Sequence, residues 1–367
     1  MVHTHKVWLE IKRSAVQKNI RAFRNIIGKS VQLWAVVKSN AYGHGLVLFS
    51  ALADEYEVDG FCVDSVVEGL KLRKNGILKP ILVLGYTLPS LYTKAALNNI
   101  TITISSIESL HVLIRSEAQP KFHIKIDTGM HRQGFYLTEL PLVLDILTKN
   151  SKLKTKNVLQ GIYTHFAAAK DCEDKAFTTQ QAGEFEKACR LFKEHGCKDI
   201  ICHAAATGGT LLGKEFHYDA VRIGIGLYGL WPSEELERQL SEKIIVQPAL
   251  SWHSVISELK TIAQGDGIGY DITERAEKEM QLAIVPIGYW HGLPRSASSV
   301  GFVTVHGKHA RIVGRVSMDM AAIDVTDIPC RVGDAVTIEP VVLARVLNAS
   351  VYEIITRINP LIHKKIT

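Results

Sequence analysis

The chain has 367 residues, 47% of them hydrophobic and 22% charged, with a formal net charge of +6. This length accommodates one large domain and a smaller one, and the ordinary globular composition excludes a disordered or fibrous chain. The basic residues form no dense block, so no nucleic-acid partner is expected, whereas an anionic small ligand suits the balance.

The opening MVHTHKVWLEIKRS lacks the apolar core of a signal peptide, and no apolar run is long enough to cross a bilayer. Six cysteines (Cys62, Cys172, Cys189, Cys197, Cys202, Cys330) are scattered without a CxxC pair. A reduced, soluble, cytoplasmic protein is expected, with no metal and no membrane partner.

In chain order, Val7–Ile11 reads as a strand placed to pair with a later domain. Short apolar runs then recur at Leu33–Val37, Gly60–Val63, Ile81–Leu84, Ile100–Ile104, Phe122–Ile126, Gly161–Thr164, Ile200–His203 and Ala220–Gly224. Between them lie segments with helical spacing, such as Ser65–Asn75 and Thr178–His195. Strands alternating with helices predict a parallel sheet, and eight of them predict an α/β fold of the (β/α)8 barrel type. A doubly wound sheet is the competing arrangement.

After about Pro232 the runs become short, β-branched and separated by Gly or Asp, as in Gln281–Ile287, Val300–Val305, Ala310–Val313, Ala321–Val325 and Ala335–Ile338. Helical periodicity returns only over Leu343–Ile358. The expected division is a barrel at 10–235 and a C-terminal β-rich domain at 236–367, joined by the opening strand 1–9.

Barrel active sites gather at the carboxyl ends of the strands. Lys38 ends the first run and His165 the sixth; Thr207 follows the seventh; Arg222 and Gly224 close the eighth. Each alone reads as an ordinary strand-end polar group; together they mark one mouth. A lysine there loses hydration, which frees its amine to form a Schiff base. Tyr42 lies one helical turn beyond Lys38, and the tail YGHG lets backbone approach a ligand closely. Arg222 has an ordinary reading too, as an ion pair with Asp219.

AVVKSNAYGHG resembles the cofactor-lysine motif of the alanine racemase family, and the likeness extends over nearly the whole chain through KIDTGMHRQGF, YTHFAAAKD, VRIGIGLYGL, GIGYDIT and GRVSMDM. Each motif is weakly specific, but six in the family's order are not. The resemblance implies a pyridoxal 5'-phosphate barrel joined to a β-domain. It implies a racemase interconverting L- and D-alanine that supplies D-alanine for peptidoglycan. Lys38 would hold the cofactor as an aldimine and act as one base, with Tyr270 as the other. Gly267–Gly269 would form a flexible turn presenting Tyr270.

His165 and Arg222 would form a polar chain at the cofactor. An arginine beside the pyridine nitrogen accepts no hydrogen bond and leaves that nitrogen unprotonated. Thr207, Gly224, Ile225 and Tyr42 would hold the phosphate, Arg132 would bind substrate carboxylate or cofactor oxygen, and Met318 and Asp319 would line the substrate. Lys125 matches a lysine carbamylated in many relatives. The implied assembly is a homodimer in which Tyr270 and Met318 of one chain complete the other chain's site.

The chain departs from the family at His291, where an acid is usual, with Trp290 beside it, a change that bears on the entrance and its charge. Pro360 stands where some relatives place a phosphate-binding tyrosine. Three alternatives stay open: a racemase of serine or lysine, a decarboxylase on the same barrel, and a non-catalytic cofactor-binding barrel.

Overall fold

A computed structural model describes residues 4–150, 153, 158–171 and 173–367, so Cys172 and the first three residues of the opening strand lie outside it. The chain divides into two compact units. One comprises Ser14–Ala41 and Leu46–Pro248; the other holds the opening residues through Arg13, Tyr42–Gly45 and Ala249–Thr367.

After the opening strand β1 (Val7–Ile11), the first unit carries β2 (Gln32–Val36), β3 (Gly60–Val63), β4 (Ile81–Val83), β5 (Ile102–Ile104), β6 (Phe122–Lys125), β7 (Leu159–Tyr163), β8 (Ile201–Ala206) and β9 (Ala220–Ile223). Most of their side chains are buried whichever way they point, as in parallel strands covered on both faces. The order β4-β3-β2-β9-β8-β7-β6-β5 is parallel throughout. Its two ends are joined, because Val83 N–H donates to Thr101 O at 2.8 Å and Thr101 N–H to Ile81 O at 2.9 Å. A doubly wound sheet would leave two free edges; this sheet is a closed barrel.

Local chemistry sets the helix ends. Ser65 accepts from Glu68 N–H and caps the helix Val66–Lys74, inside the segment its spacing predicted. Between β8 and β9 the register shifts from His203 to Ala206, immediately before Thr207 opens a short helix. The turn Ile225–Tyr228 after β9 is tied down by buried Asn19, whose Nδ2 donates to Leu227 O at 3.1 Å and Gln247 O at 2.8 Å while its Oδ1 accepts from Gln247 N at 2.8 Å.

In the second unit, β10 (Leu250–Val255), β11 (Glu258–Ile262), β12 (Gly267–Ile268), β13 (Glu274–Arg275), β14 (Met280–Val285), β15 (Phe302–Val305), β16 (Lys308–Val313), β17 (Ala321–Asp324), β18 (Ala335–Ile338) and β19 (His363–Ile366) follow. Nine strands form one sheet, β11-β14-β17-β16-β15-β18-β10-β1-β19, in which β1 runs antiparallel to β10 and parallel to β19. β12 and β13 make a separate hairpin. The single helical segment expected over Leu343–Ile358 is two helices, Pro340–Val346 and Val351–Thr356. Asn348 at φ 48° breaks the first, and Ser350 caps the second through Tyr352 N–H. Among the described residues no helix is long and apolar enough to cross a membrane.

Asn19→Ala removes three hydrogen bonds at once and leaves buried backbone groups without partners. Urea unfolding is expected to lose about 2–4 kcal/mol of stability at unchanged m-value. A loss within about 0.5 kcal/mol would show that this tie does not hold the turn.

Candidate active site

Arg222 sits on β9 inside the barrel, with 2% of its surface exposed. Its Nη1 lies 2.5 Å from His203 Nδ1, and its Nη2 reaches Thr164 O and Ala204 O at 2.8 Å and His165 Nδ1 at 3.3 Å. A guanidinium only donates, so Nδ1 of both histidines accepts, and their protons sit on Nε2. His203 Nε2 then donates to His123 Nδ1 at 2.8 Å. Burial, then Arg222, holds His165 and His203 well below the ordinary imidazole range, and takes His123 down to about 3. These rings are neutral. The Asp219 pairing is not formed; Asp219 Oδ2 instead accepts from Cys202 N–H at 2.8 Å. Among the described residues Arg222 makes no ion pair, and Nε–H and one Nη1–H have no protein acceptor.

Lys38 is not the dehydrated amine expected at the mouth. Its side chain is 38% exposed and lies 3.9 Å from Asp64 Oδ1. Nor does a right-handed turn follow it: Ser39, Asn40, Ala41 and Tyr42 all have φ between 50° and 57°. Four successive non-glycine residues in this region cost roughly 1–2 kcal/mol each. Asn40 holds the turn, its N–H facing Glu68 Oε1 at 3.4 Å and its Oδ1 accepting from Leu46 N–H at 3.0 Å. Tyr42, in the second unit, has its ring 5.9 Å from that of Tyr352.

The dehydrated lysine is Lys125, at the end of β6. Burial, then the cations Arg132 and Arg222, lower it to about 8, and its Nζ donates to Gln133 Oε1 at 3.3 Å. Arg132 is placed by Asp127, which accepts from Gly129 N–H at 2.9 Å and from His131 and Arg132 N–H at 3.0 Å. Burial would raise the Asp127 carboxyl; these donors outweigh it and hold the group below its usual range. Lys38, Arg132 and Arg222 act electrostatically on both Lys125 and His165, and Lys125 acts on His165, which places five sequence-predicted residues at one end of the barrel.

At that end Thr207 Oγ1 is approached by Gly224 N–H at 3.3 Å and Gly226 N–H at 3.4 Å. A Cβ on Gly226 would stand 2.3 Å from Phe23, and one on Gly208 2.3 Å from Ala169 O, so glycine permits the close turn. Converging N–H and O–H donors in a cationic mouth suit a phosphate. An amine for a carbonyl and unused guanidinium donors for a ring nitrogen complete a donor set that fits pyridoxal phosphate.

The second unit groups the remaining candidates. Tyr270 stands at the tip of the β12–β13 hairpin, 70% exposed. The hairpin is pinned rather than flexible. Asp271 pairs with Arg315 at 3.0 Å, and Glu274 binds Arg311 Nη2, Gly314 N–H and Ser299 Oγ. Gly314 permits this, since a Cβ would lie 2.7 Å from Ile268 O. Met318 is half-exposed and Asp319 exposed. His291 is buried, its Nδ1 accepts from Gly288 N–H at 3.2 Å, and burial, then Lys6, lowers its pKa. Trp290 is the exposed member of that pair. Pro360 lies in an exposed turn, its carbonyl accepting from Lys364.

Sequence reasoning missed Asp64, Asp127, His123 and His203. The period-two alternation within FHIK puts His123 on the same face as Lys125 and was the available signal.

A closed parallel barrel with an amine, a phosphate cradle and a buried arginine at one end, followed by a β-rich unit, defines a barrel-type pyridoxal-phosphate enzyme. Residues 11–232 match the family model "Alanine racemase, N-terminal domain" and residues 249–366 "Alanine racemase, C-terminal domain". The alanine racemases of Leptospira interrogans and Methanococcus maripaludis are each 38% identical, over 92% and 91% of this chain and 87% and 89% of theirs. The crystal structure of alanine racemase from Bacillus anthracis with bound L-Ala-P has a TM-score of 0.91 at 33% identity, covering 100% of this chain and 96% of that one. The chain belongs to the alanine racemase family, whose members are pyridoxal-phosphate-dependent isomerases.

Competitive labelling of amines across pH, read by peptide mass spectrometry, is expected to return about 8 for Lys125. Arg132→Gln removes a repelling cation and should move that value upward. An ordinary lysine titration in the unsubstituted protein would refute the dry-site reading.

Proposed function

We propose that the protein interconverts L- and D-alanine with Lys38 and Tyr270 as bases on opposite faces of Cα, and so provides D-alanine for peptidoglycan in the cytoplasm. The observation that carries this reading is the buried Arg222, charged and without a carboxylate partner. A carboxylate at a pyridine nitrogen would hold a proton there; a guanidinium excludes one. When bound, pyridoxal phosphate supplies the electron sink that makes the Cα proton removable.

The chain's own residues do the rest. Lys38 anchors the cofactor through its amine and moves a proton at Cα; Tyr270 moves one on the other face through its hydroxyl. Thr207 O–H, the N–H groups of Gly224 and Ile225, and Tyr42 hold the phosphate; His165 and Arg222 orient the ring. Arg132 takes the substrate carboxylate, fork to fork. Met318 and Asp319 line the substrate. Lys125, lowered to about 8, presents a neutral amine fraction near neutral pH, the form that carbon dioxide carbamylates. The barrel's share of the work falls to 10–235 and the remainder to 236–367 with the strand 1–9. Two copies assemble as a homodimer in which Tyr270 and Met318 of each complete the other's site.

The deciding assay is solvent-deuterium exchange at Cα over a panel of L-amino acids, with the enantiomers resolved. Exchange with loss of chirality is expected for alanine. Equal rates on serine or lysine would replace the substrate assignment, and decarboxylation with chirality retained would replace the reaction. Tyr270→Phe should lower turnover about 10²–10⁴-fold while the yellow cofactor stays bound and borohydride still locks it to Lys38. Full activity in that variant would remove Tyr270 as a base.

A further inference from the structure

Away from the strand-end cluster, the outer face of β8 meets the helix Ala176–Glu194, and a pocket of about 360 Å³ opens there. That volume lies within the range of ligand pockets, about 300–1,000 Å³. Cys189 from the helix and Cys202 from the strand both line it, with Arg190, Lys193, Glu186 and Asp219. The two thiols act on each other, and 8% and 3% of the residues' surfaces are exposed. Asp219 is engaged by the Cys202 N–H and Glu186 by the Tyr218 hydroxyl, so Arg190 and Lys193 are the charged groups whose donors are left to meet an incoming carboxylate.

The other described cysteines do not line this pocket. Cys62 and Cys197 are buried like the pair, burial pushing the Cys62 thiol up to about 12, and half-buried Cys330 is raised by burial and Asp334.

We propose that Cys189 and Cys202 form a thiol-modification site for low-molecular-weight disulfides that carry carboxylates. Cys189 holds the Cys202 thiol below its usual range, with Lys193 assisting against burial and Asp219, so Cys202 supplies the thiolate. Its sulfur attacks one sulfur of the incoming disulfide; that S–S bond breaks, and a small thiolate leaves with the electron pair. Cys189 then releases its proton to solvent and attacks the Cys202 sulfur, and the second small thiolate leaves. Two protein thiols give up two electrons and two protons; the small disulfide takes the electrons and becomes two thiols. The bridge needs the sulfurs to reach about 2.05 Å. Cys202 immediately precedes His203, the ring that accepts from Arg222, so the modification lands one residue from the barrel's buried cation.

The test uses the cofactor-loaded, reduced full chain with oxidised glutathione, followed by intact-mass and peptide mass spectrometry. A transient adduct on Cys202 is expected, then loss of two hydrogen masses with Cys189 linked to Cys202. Cys189→Ser should stop at a stable adduct on Cys202, and both Cys202→Ser and Cys202→Ala should abolish modification of the pair. Arg190→Gln with Lys193→Gln should slow oxidised glutathione about fivefold, the size of one screened charge contact, and leave neutral 2-hydroxyethyl disulfide nearly unchanged. The proposal is overturned if Cys330 or Cys172 is modified first, if no Cys189–Cys202 link forms, or if the charge substitutions slow both reagents equally.

Discussion

A guanidinium enclosed in a barrel without a counter-charge is the constraint from which the rest of this site follows. Removing a cation from water costs several kcal/mol unless its donors are used. Arg222 uses Nη1 and Nη2 on two carbonyls and two imidazoles, all neutral acceptors. That choice fixes the tautomer of His165 and His203, and through His203 it fixes the partner hydrogen bond of His123. Protonating any of these rings would place a second buried cation beside the first, which is why all three titrate low.

The same field reaches the strand ends. Lys125 loses proton affinity chiefly by burial, but two of its opposing neighbours are arginines. The nearby Asp127 carboxylate is committed to three backbone N–H groups. Asp64 pairs with Lys38 from a partly solvated position, at 3.9 Å, too long for a strong contact. The barrel mouth therefore carries uncompensated positive charge over converging N–H donors. An anionic, carbonyl-bearing cofactor would neutralise it with its phosphate, and the free guanidinium donors of Arg222 would suit its ring nitrogen.

The apolar runs were legible because strands buried on both faces leave no polar alternation, and eight of them with intervening helical periods admit few topologies. Ser65 and Asn75 punctuated a helix that lies between them. What stayed hidden depended on contacts distant in sequence. The turn after Lys38 takes a left-handed path because Glu68 and Leu46 bind Asn40, and no propensity of Ser-Asn-Ala-Tyr would announce that. His291 reads as a replaced acid that bears on the entrance and its charge, yet its buried ring closes its own turn by accepting from Gly288. The break at Asn348 was masked by apolar residues that keep a helical period across it.

The hairpin bearing Tyr270 is held by contacts that its glycines do not announce. Gly267 and Gly269 suggested mobility, but the residues that make the segment resemble its family are the ones that immobilise it. Gly314 of the GRVSMDM segment packs closely on the hairpin's backbone, Arg315 donates to its Asp271, and Glu274 is shared by Arg311, Ser299 and Gly314. The tyrosine is thus exposed at its tip and fixed at its base. The role proposed for Tyr270, moving a proton at one face of a carbon, needs that combination, since a displacement of about 1 Å costs on the order of 10²-fold in rate. The motif's glycines serve close packing, and packing supplies the aim.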